Sequence, residues 1–146
     1  KQLNKWIHAE VLPAIRKTGE YKILENATRR ILKTEYLPMS SALKENRELD
    51  GKETRHFHYS NEANMINKIV TGMTAKEYKE YHGVNDVRDN MTSIEKKALI
   101  ELQQSNTAFL NQGFEYDKRK ELLEQLFKRR WSNKILIENA EAEGDI

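Results

Sequence analysis

Ser60, Thr74 and Thr92 each stand directly before a run of apolar residues at helical spacing, and Gly72, Gly83 and Gly113 close those runs. No other feature constrains the fold as tightly. A helix leaves its first four N–H groups without partners, and a Ser or Thr oxygen at the start satisfies one of them. A glycine at the end takes the left-handed turn that stops the helix. Thr74 with Glu77 and Thr92 with Glu95 complete the reciprocal S/T-x-x-E box. Ser60 has Ala63 at the third position instead, with Asn61 and Glu62 suiting the helix dipole.

The spacing therefore predicts helices over 60–72, 74–82, 92–112 and 115–131. Their apolar stripes read Ala63, Ile66, Ile69, Val70 and Met73, then Ile94, Ala98, Leu102 and Phe109, then Leu123, Leu126, Phe127 and Trp131. Ile66, Ile69, Leu102, Leu123 and Phe127 are expected to share one core. The fold class that follows is mainly α: a small multi-helix domain with at most one short strand or hairpin.

Upstream, residues 4–17 can form a helix that Pro13 must end or kink. A second runs from about Glu20 to Tyr36, with Leu24, Ala27, Ile31 and Leu32 on one side and Pro38 as its stop. Residues 37–54 hold Ser40, Ser41, Asn46, Asp50 and Gly51 among scattered charges, which predicts a linker or a mobile helix end. Arg55-His56-Phe57-His58-Tyr59 alternates around aromatic residues and is the best strand candidate, although no other segment offers a partner. The domain limits expected are thus 1–36, a linker over 37–54, a helical domain over 55–137 and an acidic tail over 138–146.

Composition removes several function classes. Zero cysteines exclude a disulfide framework and thiolate chemistry. No apolar run approaches the ~20 residues a membrane span needs, so no membrane partner is expected. The net charge of +2 is too small to argue for nucleic acid by itself. Residues 1–40 carry 8 basic against 4 acidic side chains, and residues 135–146 carry 4 acidic and no basic ones. No Gly-rich phosphate loop, G-x-S-x-G, H-E-x-x-H or Cys–His arrangement is present. An enzyme is not expected, nor a cofactor.

Two features still carry possible chemistry. His56 and His58, on a strand, would present both imidazoles on one face, a zinc geometry if His82 or a carboxylate completed it. An outward strand face accounts for the same pattern. Lys118, Arg119 and Lys120, followed by Lys128, Arg129 and Arg130, lie on one helix and could contact phosphate. Three consecutive residues point in three directions, however, and Glu124 can pair with Lys128, so a solvated charged helix explains the run as well.

The stretch Lys5-Trp6-Ile7-His8-Ala9-Glu10-Val11-Leu12-Pro13-Ala14-Ile15-Arg16-Lys17-Thr18-Gly19-Glu20-Tyr21 resembles the closing segment of the Bro-N domain, a DNA-binding module of phage antirepressors and baculovirus repeated-ORF proteins. That segment is an aromatic-led helix, a Leu-Pro-x-Ile-Arg-Lys turn and a Gly-x-Tyr exit. The run Tyr59-Ser60-Asn61-Glu62-Ala63 through Ile66-Asn67-Lys68-Ile69-Val70, Gly72 and Thr74-Ala75-Lys76 is similar to a second block of the same phage proteins. The run Asp117-Lys118-Arg119-Lys120-Glu121-Leu122-Leu123 is similar to a third.

The resemblance implies a regulator whose head binds DNA and whose C-terminal part binds protein, either itself or a phage repressor. Because the chain opens where such a head would be ending, and with Lys1 rather than Met, it is expected to be a fragment carrying the end of the Bro-N domain and the C-terminal part. The expected location is the cytoplasm of a bacterial host. Expected interface residues are Trp6, Phe127 and Trp131, in a homo-oligomer or against a repressor. Expected nucleic-acid contacts, under the alternative of direct DNA binding, are Arg16, Lys17, Lys118, Arg119, Arg129 and Arg130. A metal-dependent nuclease is a third reading, for which no site can be assembled.

Overall fold

Reciprocal side-chain and backbone hydrogen bonds fix two helix starts at the expected threonines. In the computed structural model, Thr92 Oγ1 accepts from the Glu95 N–H at 3.2 Å while Glu95 Oε1 accepts from the Thr92 N–H at 2.9 Å. Thr74 and Glu77 repeat the pair at 3.2 and 2.9 Å. The structure describes residues 37–142, which lie within one compact unit, and, upstream, Ala27 and Arg30. The elements are α1 (residues 37–49), α2 (His56–Thr71), α3 (Ala75–His82), a single 3-10 turn (Val87–Asp89), α4 (Ser93–Asn111), α5 (Tyr116–Arg130) and α6 (Ser132–Ala142). Among the described residues there is no strand. Gly72 and Gly83 close α2 and α3 at φ 80° and 66°, a region that a side chain with a Cβ enters only under strain.

The strand expected at 55–59 is a correction. His56–Tyr59 form the first turn of α2, and the Arg55 N–H donates to His58 Nδ1 at 3.0 Å, closing the helix start four residues before Ser60. Tyr59 continues the helical period of Glu62, Ile66 and Ile69 backwards, and a lone strand would have left its backbone groups without a ladder. Phe57, which alternation would have turned inward, is 53% exposed. Ser60 therefore sits in the second turn and caps nothing.

The linker expected over 37–54 is a second correction. Residues 37–49 are helical, and Met39, Ala42 and Leu43 are buried in the main core at i, i+3 and i+4. Asn46, one turn on, donates to Ala42 O at 2.8 Å and to Asn111 Oδ1 at 3.1 Å, tying α1 to the end of α4. The acidic tail expected from 138 likewise begins inside a helix, since α6 runs to Ala142. The helix expected over 115–131 breaks at Trp131, whose N–H still reaches Phe127 O at 2.8 Å before the chain turns into α6.

Helix α4 is the hub. It packs against α2, α5 and α6, and Ala98, Leu99, Leu102 and Leu110 face inward along it. Ile66, Met65 and Val70 come from α2, Leu123 from α5, and Trp131 and Ile135 from the α5–α6 turn and α6. Ile66, Leu102 and Leu123 are buried as the spacing predicts; Ile69 and Phe127 are partly buried against the same cluster. Tyr78 anchors α3, its hydroxyl accepting from Asn90 Nδ2 at 3.1 Å. Burial pushes its pKa up, against the effect of that hydrogen bond.

The two kinds of helix start separate experimentally. Thr92→Ala is expected to cost about 1 kcal/mol, the usual value of a lost cap, and so to lower Tm by roughly 3–6 °C. Ser60→Ala, in a helix interior, is expected to stay within about 0.5 kcal/mol of wild type. Equal losses in thermal melts would place the start of α2 at Ser60 after all.

Candidate functional site: a buried ion-pair network under a polar cleft

Three buried polar side chains, one from each of three helices, meet in the core. Glu62 of α2, Asn106 of α4 and Arg119 of α5 are 3%, 0% and 4% exposed. Arg119 Nη2 donates to Glu62 Oε2 at 3.0 Å, and Nη1 donates both to Glu62 Oε1 and to Asn106 Oδ1, the latter at 2.9 Å. Asn106 Nδ2 donates to Glu62 Oε1 at 2.9 Å, and Arg119 Nε donates to the Phe114 carbonyl at 3.0 Å. Both carboxylate oxygens and four of the five guanidinium N–H groups thus have partners within the protein. The Glu62 carboxylate is clamped between α4 and α5.

Above the pair lies a cleft of about 390 Å³ between the end of α1, the start of α2 and the α4–α5 loop. Arg47, Lys52 and His58 face Asp50, Glu115 and Asp117 around it. Tyr116 stands at its wall with the Arg119 guanidinium carbon 5.8 Å from its ring centre. Burial first, and the Glu62 carboxylate second, raise the Tyr116 pKa.

The expected site residues distribute as follows. Trp6, Arg16 and Lys17 lie outside the described residues. Arg119, expected as a nucleic-acid contact, is a correction: its guanidinium is spent on Glu62, Asn106 and a carbonyl, out of reach of any phosphate. Lys118 pairs with Glu121 at 3.4 Å and Arg130 with Glu101 at 2.6 Å, both exposed, while Arg129 is exposed on α5. Hydrogen bonding to Glu101 raises the Arg130 pKa still further. Trp131, expected at an interface, is also a correction: it is 8% exposed within its own core, and Arg130 and Lys134 cover its ring at 5.8 and 4.8 Å. Phe127 is half-spent, packed against the same cluster.

The histidine pair loses its geometry with the strand. On a helix His56 and His58 stand about 200° apart around the axis, and His58 Nδ1 already accepts from a backbone N–H. The His82 ring lies tilted against Tyr78 at 4.2 Å and edge-on to Tyr81 at 4.8 Å. Among the described residues no group of three His, Cys, Asp or Glu side chains could hold a metal, and no helix is long and apolar enough to cross a membrane.

Sequence reading missed Glu62 and Asn106 as partners of Arg119. The signal was present: Glu62 lies four residues before Ile66, Asn106 four after Leu102, and Arg119 four before Leu123. Polar residues one turn from a core position share its face. No family model, curated protein or solved structure matches this chain.

Proposed function

We propose that this chain is the C-terminal part of a phage antirepressor-like regulator, non-catalytic and working in the cytoplasm of a bacterial host, and that its helical unit binds protein. The observation that carries the protein-binding half is the charge of that unit. Residues 37–142 contain 17 Lys and Arg and 17 Asp and Glu, so the unit has no net charge. The α5 cations that could grip phosphate are partly withdrawn, Arg119 into the core and Lys118 and Arg130 onto glutamates. DNA binding draws its affinity chiefly from unpaired cations and counterion release. Apolar surface, by contrast, is offered outright: Leu136 and Ile137 on α6 are 62% and 54% exposed beside the buried Ile135. Exposed apolar side chains on a helix supply contact area for a protein partner.

The antirepressor half rests on the resemblance of the quoted blocks. The second block occupies α2, the Gly72 turn and the start of α3; the third opens α5. Glu62 of the one clamps Arg119 of the other. The partner is a second copy of the chain or a phage repressor.

Light scattering on the 146-residue chain is expected to read a dimer at micromolar concentration, and a complex when the cognate repressor is added. Leu136→Glu with Ile137→Glu, both exposed, should abolish association without lowering Tm. Submicromolar binding to random duplex DNA at ~150 mM salt would overturn this reading in favour of direct DNA binding, because nonspecific contacts there usually give ~10⁻⁴–10⁻⁶ M. A chain that stays monomeric and ignores the repressor would overturn it too.

A further inference from the structure

A second cleft, of about 360 Å³, opens on another side of the unit, between α2, α3, the Val87–Asp89 turn and α4. Its floor is aliphatic, with Ile66, Val87 and Leu99, and the small side chains of Ala63 and Ala75 leave room above it. Its polar lining is carboxamide and cation: Asn67, Asn85 and Gln103, with Lys79 and the Asp86–Arg88 pair. Gln103 is 8% exposed, and its side-chain oxygen has no hydrogen-bond partner among the described residues. A buried acceptor left in that state keeps its desolvation cost without a compensating bond. A donor entering the cleft would remove that cost, since the terminal amide torsion of a Gln is broad and can present the oxygen.

The chemistry of the lining selects the ligand. Among the described residues no aromatic side chain lines this cleft, so a nucleobase would find no stacking platform there. Arg88 is already held by Asp86 through two hydrogen bonds at 3.1 and 3.0 Å, which leaves no cation pair for a phosphate. Asp86, Arg88 and Lys79 together leave one positive charge, and Lys79 forms no ion pair among the described residues. Carboxamides both donate and accept, as a peptide backbone requires. An aliphatic floor within a polar rim is how an anchor side chain is held at a protein interface.

We propose that this cleft binds a short extended stretch of a protein partner, with an aliphatic side chain seated on Ile66 and Leu99, its backbone bonded to the carboxamides of Asn67 and Gln103, and an acidic residue beside Lys79. The inference rests on reading the unit as protein-binding and adds where and what it binds. It lies apart from Leu136 and Ile137, so the unit carries two separate contacts.

The test uses the full chain, ¹⁵N-labelled, titrated with a blocked tetrapeptide of alanine, leucine, aspartate and alanine, with its asparagine counterpart, and with adenosine monophosphate. Binding of the aspartate peptide at roughly millimolar Kd is expected, with shifts gathered at the amides of Asn67, Lys79, Leu99 and Gln103. Gln103→Leu should weaken it about fivefold. Lys79→Gln, a surface change that leaves the fold intact if Gln103→Leu does not, should erase a preference of about threefold for aspartate over asparagine. Shifts elsewhere, no shift at ~10 mM peptide, equal binding of the nucleotide, or indifference to Lys79→Gln would each overturn the inference. An unshifted cleft in a chain that still dimerises overturns this inference alone. A shifted cleft in a chain that neither dimerises nor binds repressor overturns the regulator reading alone.

Discussion

Arg119→Ala is expected to destabilise the unit by about 3–5 kcal/mol, the cost of leaving a buried charge without its partner. Glu62 would remain 3% exposed with only Asn106 to satisfy it, and the Phe114 carbonyl would lose its donor. At this size the loss corresponds to roughly 10–20 °C in Tm. The same network need not add much stability over an apolar alternative, because taking two charges out of water is itself expensive. The double variant Glu62→Leu with Arg119→Met should therefore be more stable than Arg119→Ala alone, a strong departure from additivity. What the network supplies is register: three helices and a loop meet in the one way that engages both carboxylate oxygens and four of the five guanidinium N–H groups. A single variant melting within about 3 °C of wild type would mean that Arg119 reaches solvent, and would restore it as a possible phosphate contact.

The interior of this network was half-visible in the sequence, and the reason is instructive. Read as a linear triplet, Lys118-Arg119-Lys120 is a basic cluster; read at a period of 3.6, Arg119 shares a face with Leu123 and the two lysines do not. The helix starts at Thr74 and Thr92 were legible because each box states its geometry in two residues three positions apart. The start of α2 was not, because its N-cap is Arg55 rather than an Asp, Asn, Ser or Thr, and a histidine ring, His58, stands where the box has a Glu. Helix α1 was hidden by composition: three apolar residues, Met39, Ala42 and Leu43, hold it in the core, and polar neighbours dilute their period. Helix α6 was hidden by Trp131, which reads as the last apolar residue of one long helix but is the corner between two. The clefts were invisible, since they depend on which helices pack, and a single chain's periodicity is silent on that.

Leu102→Ala is expected to cost about 2–5 kcal/mol, with the higher figures favoured because its side chain is fully buried where α4 meets its neighbours. One turn earlier Ala98 is equally buried, so the wall beside the lost isobutyl group has no long side chain to swing into the gap. Collapse of the cavity would have to come from Ile66 or Leu123, and each of those is itself held by a separate helix. A unit of this length is stable by only roughly 5–15 kcal/mol, so one such deletion removes a large part of the total. Ile66→Ala should be similar and Ile69→Ala smaller, because Ile69 sits only at the edge of the cluster. Leu49, 82% exposed at the end of α1, is the control: Leu49→Ala should stay within about 0.5 kcal/mol. Urea unfolding of the four variants reads the order directly, provided that the slope against denaturant does not change. An Ile69→Ala loss that equals or exceeds that of Ile66→Ala would rotate α2 about its axis, and with it the position of Glu62 against Arg119.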